Sequence, residues 1–180
     1  MRVLALAALA LLLAAPAEAQ RGSRTITIRG IGGVDFGMTP TQAQAAWGAR
    51  WSSSDTEGAT DAPVDDARLE PGCHYTGPTG ADDVRFIVED GRVLAVETSD
   101  PRYATPSGVR VGSTLAEVRR AYPGRLTTEL GVYSDEPELT FTPRDARDRD
   151  YRLVFLTQNG RVAAIKAGRV PTVGYIEGCL

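Results

Sequence analysis

The chain has little of the chemistry on which enzymes rely. Among 180 residues it has a single histidine, His74, two cysteines, and a single lysine, Lys166. One imidazole gives a zinc site no second histidine, and a Ser/His/Asp arrangement only one possible base. Cys73 precedes His74 directly, and neighbours on a strand point to opposite faces, so the two are not placed to work as a thiol–base pair there. No G-x-S-x-G, H-E-x-x-H, P-loop or G-x-G-x-x-G is present. Asp35-Phe36-Gly37 spells a kinase metal motif, but without a Gly-rich or catalytic loop around it. Asp65-Asp66, Asp82-Asp83 and Asp145/Asp148/Asp150 lack the alternating oxygen ligands and glycine of a calcium loop. No two acids stand out as a glycosidase pair. These absences predict a protein that is not an enzyme and uses neither metal nor cofactor. A net charge of −3 with mixed signs predicts no nucleic-acid partner and no anionic-lipid surface.

Long hydrophobic runs are also missing, except at the start. Arg2 precedes an apolar run over residues 3–15, Pro16 breaks it, and Ala17-Glu18-Ala19 offers small residues where a signal peptidase reads. The run of 13 residues reaches only about 20 Å as a helix, short of a bilayer core. Residues 1–19 are therefore expected to be a cleaved signal peptide, with Gln20 rather than a lipidated cysteine after the cut. The remaining 20–180 are expected to form one domain without a membrane anchor, periplasmic or secreted. In an exported chain an even cysteine count favours a disulfide, here Cys73 with Cys179.

Against these gaps stands a doubled pattern. Gly37 aligns with Gly112, and with that offset Val34 meets Val109, Thr39 meets Thr114 and Trp47 meets Tyr122. Thr39 with Gln42, and Thr114 with Glu117, have the spacing of capping boxes, and Pro40 suits a first helical position. Ala43, Ala46, Trp47 and Val118, Ala121, Tyr122 recur at helical spacing. Further on, VRFIVEDGRVLAVE aligns with LVFLTQNGRVAAIK. Asp90-Gly91 and Asn159-Gly160, between alternating apolar runs, predict hairpins closed by type I′ turns. The fold class expected is α+β: two tandem units, about 30–99 and about 107–180, each a helix followed by an antiparallel meander. Weaker strand candidates are 25–31, the neighbourhood of Tyr75, 139–141 and Tyr133. Residues 52–72, rich in Ser, Asp, Pro and Gly, read as a long acidic loop.

The doubled glycine, Met-Thr or Ser-Thr, helix and antiparallel strands resemble the β-lactamase-inhibitor-protein-like fold. A single unit resembles the small outer-membrane assembly lipoproteins of the SmpA/OmlA type. Gly37-Met38-Thr39, Gly112-Ser113-Thr114 and the two Gly-Arg-Val turns carry the resemblance. It implies two units sharing one curved sheet, helices on the outer face and a concave face open to a protein. It carries no site residues onto this chain, and a bridge between the halves would differ from the inhibitor, which has one within each unit.

Unbroken pairing from the turns puts Phe86, Val88, Val93 and Ala95 on a core face. The other face then holds Arg85, Ile87, Arg92 and Leu94 in the first unit, and Arg152, Leu156, Arg161 and Ile165 in the second. An aliphatic face rimmed with arginine is the composition of a protein interface. Either a partner occupies it, or the 52–72 loop or the N-terminal segment covers it. The function expected is an exported binding module contacting another exported or envelope protein through this face. The alternative is a small-ligand binder, with Trp47, Trp51 and tyrosines lining a pocket between the sheet and the 52–72 loop.

Overall fold

The computed structural model describes residues 24–55, 58–68 and 71–179, so the expected signal peptide lies outside the described residues. β1 (Ile26–Thr27), β2 (Gly30–Ile31) and β3 (Val34–Asp35) form a small antiparallel sheet. The rest runs α1 (Pro40–Trp47), β4 (Trp51–Asp55), β5 (Gly58–Pro63), β6 (Cys73–Pro78), β7 (Val84–Glu89) and β8 (Arg92–Thr98). It continues with α2 (Leu115–Ala121), β9 (Leu126–Leu130), β10 (Pro137–Phe141), β11 (Tyr151–Gln158) and β12 (Arg161–Arg169). These last nine strands form one antiparallel sheet in the order β5-β4-β6-β7-β8-β12-β11-β10-β9. Two helices against a mostly antiparallel sheet make the fold α+β.

Both helices begin as their sequences dictate. The Thr39 hydroxyl accepts from Gln42 N–H while the Gln42 side chain accepts from Thr39 N–H, and Thr114 and Glu117 repeat the exchange. Asp90 and Asn159 take positive φ, 49° and 52°, which the I′ turns demand. Beyond each turn the hairpin carries one unpaired residue. Val88 pairs with Val93 but Ile87 with Ala95, leaving Leu94 as a bulge. Thr157 pairs with Val162 but Leu156 with Ala164, leaving Ala163. At these points the outward backbone of Val93 pairs with Gly37 and Met38, and that of Val162 with Gly112 and Ser113, all at 2.8–2.9 Å. The arginines of the two turns reach the same places: Arg92 donates to Gly37 O at 3.2 Å and Arg161 to Gly112 O at 2.8 Å.

The halves meet at β8 and β12. Val96 pairs with Ala167 and Ile165 with Thr98 on either side of Glu97 and Lys166. Moving 69 positions along the chain exchanges the outer two pairs and returns the central one to itself, so the register has a two-fold symmetry. The main core lies between one sheet face and the helices with the small sheet. Trp47, Trp51 and Phe86 fill it on one side, Tyr122, Phe141 and Phe155 on the other.

Three sequence expectations are corrected. Residues 52–72 hold the β4–β5 hairpin and a 3-10 turn at Asp66–Arg68, so the sheet extends where a loop was expected. Tyr133 sits in the turn between β9 and β10 rather than in a strand. The bulges reverse side-chain parity beyond Leu94 and Ala163. Ala95 thereby leaves the main core for the second face, and Ile165 leaves the second face for the main core, where it is fully buried.

Candidate functional site

The second face of the sheet is treated differently on its two halves. On the first half, the chain after β12 crosses back over β8 and β7 and is fixed there. Cys179 is bonded to Cys73, the Thr172 hydroxyl donates to Glu89 at 2.7 Å, and the Tyr175 hydroxyl donates to the same carboxylate at 3.1 Å. The Glu89 carboxylate raises the pKa of Tyr175, by stabilising its protonated form. Val173 and Cys179 of this segment bury Ile87, Ala95 and Val154 as a second small core, with Tyr75 and Leu156 packed beside them. Among the described residues the cover is the C-terminal tail, whereas the N-terminal segment expected as one possible cover lies largely outside them.

On the second half the same face stays open as a groove of about 350 Å³. Thr140, Val154, Leu156 and Lys166 form its floor. The end of β9 and the turn after it supply Glu129, Leu130, Val132 and Tyr133, with Glu138 from β10, and the C-terminal tail supplies Val173, Gly174 and Ile176. Leu130, Val132, Tyr133 and Ile176 are 68%, 64%, 73% and 57% exposed, large values for apolar side chains gathered at one place. The Tyr133 hydroxyl donates to the Glu177 carboxylate, joining the two walls. Lys166 is already engaged, donating to Tyr175 O at 3.0 Å and lying 3.9 Å from Glu97. The carboxylates of Glu129 and Glu138 are not in ion pairs among the described residues.

The residues expected to face a partner are scattered by this arrangement. Ile87 is buried under the tail and Ile165 lies in the main core. Leu94 is the half-buried bulge residue, and Leu156 is half-buried in the groove floor. Arg85 is exposed above the Tyr75 ring, 3.3 Å from Glu97. Arg152 donates to Arg149 O and Tyr151 O at 2.7 Å. Arg92 and Arg161 tie the turns to the helix starts. No continuous arginine rim results, because the four guanidinium groups are spent on separate partners. Leu130, Val132, Tyr133 and Ile176 were not singled out from sequence. For Leu130, Val132 and Tyr133 the one signal is an apolar stretch inside a segment whose only charges are acidic; Ile176 lies outside it.

A second cavity, of about 250 Å³, opens on the helix side, lined by Trp47, Tyr103, Arg24, Asp100 and Arg102. Trp47 and Tyr103 lie 5.9 Å apart, while Trp51 is fully buried beneath them against Phe86. Asp100 is buried, and hydrogen bonds from Arg102 hold its carboxyl below the usual range. His74 stands on β6 with its pKa lowered by burial and Nε2 unpartnered. Among the described residues no three His, Cys, Asp or Glu side chains are grouped to hold a metal, and no helix is long and apolar enough to cross a membrane.

The sequence matches no protein-family model and no curated protein. Solved structures that the chain resembles include these two. The uncharacterised protein YfeY from Escherichia coli is 12% identical at a TM-score of 0.45, over 83% of this chain and 97% of that one. An extracellular protein containing an SCP domain from Bacillus anthracis is 8% identical at a TM-score of 0.47, over 91% of this chain and half of that one.

Proposed function

We propose that the protein is an exported, non-enzymatic binding module that holds a segment of another exported or envelope protein in the second-face groove. The observation that carries this reading is the cluster of Leu130, Val132, Tyr133 and Ile176, all more than half exposed around one groove. Apolar side chains gathered on a surface mark a contact site, and an apolar centre with a polar rim is the composition of an interface. The disulfide supports export, since such bonds persist in oxidising compartments. In the same reading the chain is a tandem duplication of one helix–meander unit. The matched caps, turns, bulges and arginine bonds, and the two-fold register at β8 and β12, support it. It is also the arrangement that the likeness to the β-lactamase-inhibitor-protein-like fold and to the SmpA/OmlA unit implies.

The test uses the exported protein as bait with Val132→Asp and Ile176→Asp variants. Both side chains are exposed, so melting should stay where it is while partner capture falls. Capture that survives both changes would refute the groove. A small-ligand reading shifts from the pocket expected beside residues 52–72 to the helix-side cavity, which Trp47 and Tyr103 line and the buried Trp51 does not. Its expected sign is a change in tryptophan fluorescence with ligand, abolished by Tyr103→Ala while capture is unaffected.

A further inference from the structure

The pairing of β9 fixes which of its backbone groups are free. Gly131 N–H donates to Glu136 O at 3.0 Å beyond one end, and Thr142 N–H donates to Arg125 O at 3.3 Å beyond the other. Between them the register runs unbroken from Leu130↔Pro137 to Leu126↔Phe141. Hydrogen-bonded and non-hydrogen-bonded pairs alternate along an antiparallel ladder. Residues 125, 127, 129 and 131 therefore turn their backbone groups toward β10. Leu126, Thr128 and Leu130 turn theirs outward, where β9 is the last strand of the sheet.

The other half fills the corresponding place. β4 follows α1 as β9 follows α2, yet β5 lies outside β4 and no described strand lies outside β9. The β4–β5 edge is also closed to further pairing by a register shift at Ser52/Ser53 and by Pro63. β9, with the sequence LTTEL, has no proline, no lysine and no bulge.

Charge selects the occupant. Residues 126–142 contain Glu129, Asp135, Glu136 and Glu138 and no Arg or Lys. Glu129 and Glu138 are paired across the strands and line the groove. A second copy arriving through its own β9 would bring the same four carboxylates against these. We propose that an extended segment of a partner protein adds as a strand to the free edge of β9, with basic side chains toward Glu129 and Glu138 and an aliphatic one toward the groove. Strand addition of this kind takes affinity from the main chain and specificity from alternate side chains. The proposal rests on the binding-module reading and names its partner's chemistry.

Anisotropy of a labelled peptide about nine residues long so as to span β9, with lysine, valine and lysine at alternate positions on one face and threonine between them, is the test on the exported protein. The lysine peptide is expected to bind. Replacing lysine by glutamate, or methylating alternate backbone nitrogens of the lysine peptide, should weaken it by about tenfold or more. Thr128→Pro removes an outward N–H and no bond to β10, and should also weaken binding about tenfold at an unchanged melting temperature. If that variant fails to fold, the methylated peptide still decides. Equal binding of the methylated peptide, unchanged binding to a folded Thr128→Pro protein, or no binding of the lysine peptide would overturn the proposal. A dimer that Thr128→Pro makes monomeric would overturn it in favour of a second copy. Should Val132→Asp abolish binding while Thr128→Pro and methylation do not, the groove stands and the edge fails; if none of them matters, both fail.

Discussion

Ile165 and Leu156 are aliphatic residues of one hairpin with different surroundings. Ile165 is fully buried among Phe155, Val162 and Ala167, whereas Leu156 is half-buried in the groove floor. Truncating a buried isoleucine removes its transfer energy and leaves a cavity, so Ile165→Ala is expected to cost about 2–5 kcal/mol in a denaturant melt. Leu156→Ala should cost about 1 kcal/mol and mainly weaken partner binding. Equal losses would mean that the floor of the groove is ordinary core. His74 gives the second test at this scale. Burial lowers its pKa below the ordinary 6.5, so the unfolded chain binds the proton more readily than the folded one. Its contribution is complete above pH 6.5 and is lost as pH falls below that value toward the folded-state pKa. Melts between neutral and mildly acid pH should show this loss, and His74→Leu should flatten it. An equally steep profile in that variant would place the titration elsewhere.

At the scale of elements, the tail and the two hairpins decide what is open. The Cys73–Cys179 bond closes a separation of 106 residues and holds the tail over Ile87 and Ala95. Cys179→Ser is expected to lower stability by up to about 4–5 kcal/mol on the chain-entropy model and to increase binding of an apolar dye. An unchanged melt would show that Glu89 and the tail's own packing are enough. The Arg92 and Arg161 bonds to the helix starts should each be worth about 1 kcal/mol, read from the alanine variants. The caps, both turns and the disulfide partners were legible in the residues because each depends on neighbours in sequence or on a count of two. The bulges were not, because Leu94 and Ala163 continue an apolar run and are displaced only by the bonds of Val93 and Val162 to a distant segment. Residues 51–55 and 58–63 hid their strands in Ser, Asp, Gly and Pro, poor strand formers that nonetheless pair with each other and, through β4, with β6. The groove residues were illegible for a similar reason: Ile176 and Val132 are 44 positions apart, and only the tail's return brings them together.

At the scale of the whole molecule, the two-fold register at Glu97 and Lys166 would make the two ends of the sheet alike. The tail and β5 break that likeness. The tail covers the second face of the first half, and β5 occupies that half's outer edge, so the second half alone keeps an open face beside a free edge. In the proposed reading, this asymmetry directs a partner to one place on the sheet. The most direct test is photocrosslinking in exporting cells, with a benzophenone side chain at position 132 in the groove or at position 120 on the exposed side of α2. A defined partner adduct is expected from position 132, none from position 120, and the adduct should be lost on adding Thr128→Pro. No adduct from position 132, or the same adduct from both positions, would contradict the account.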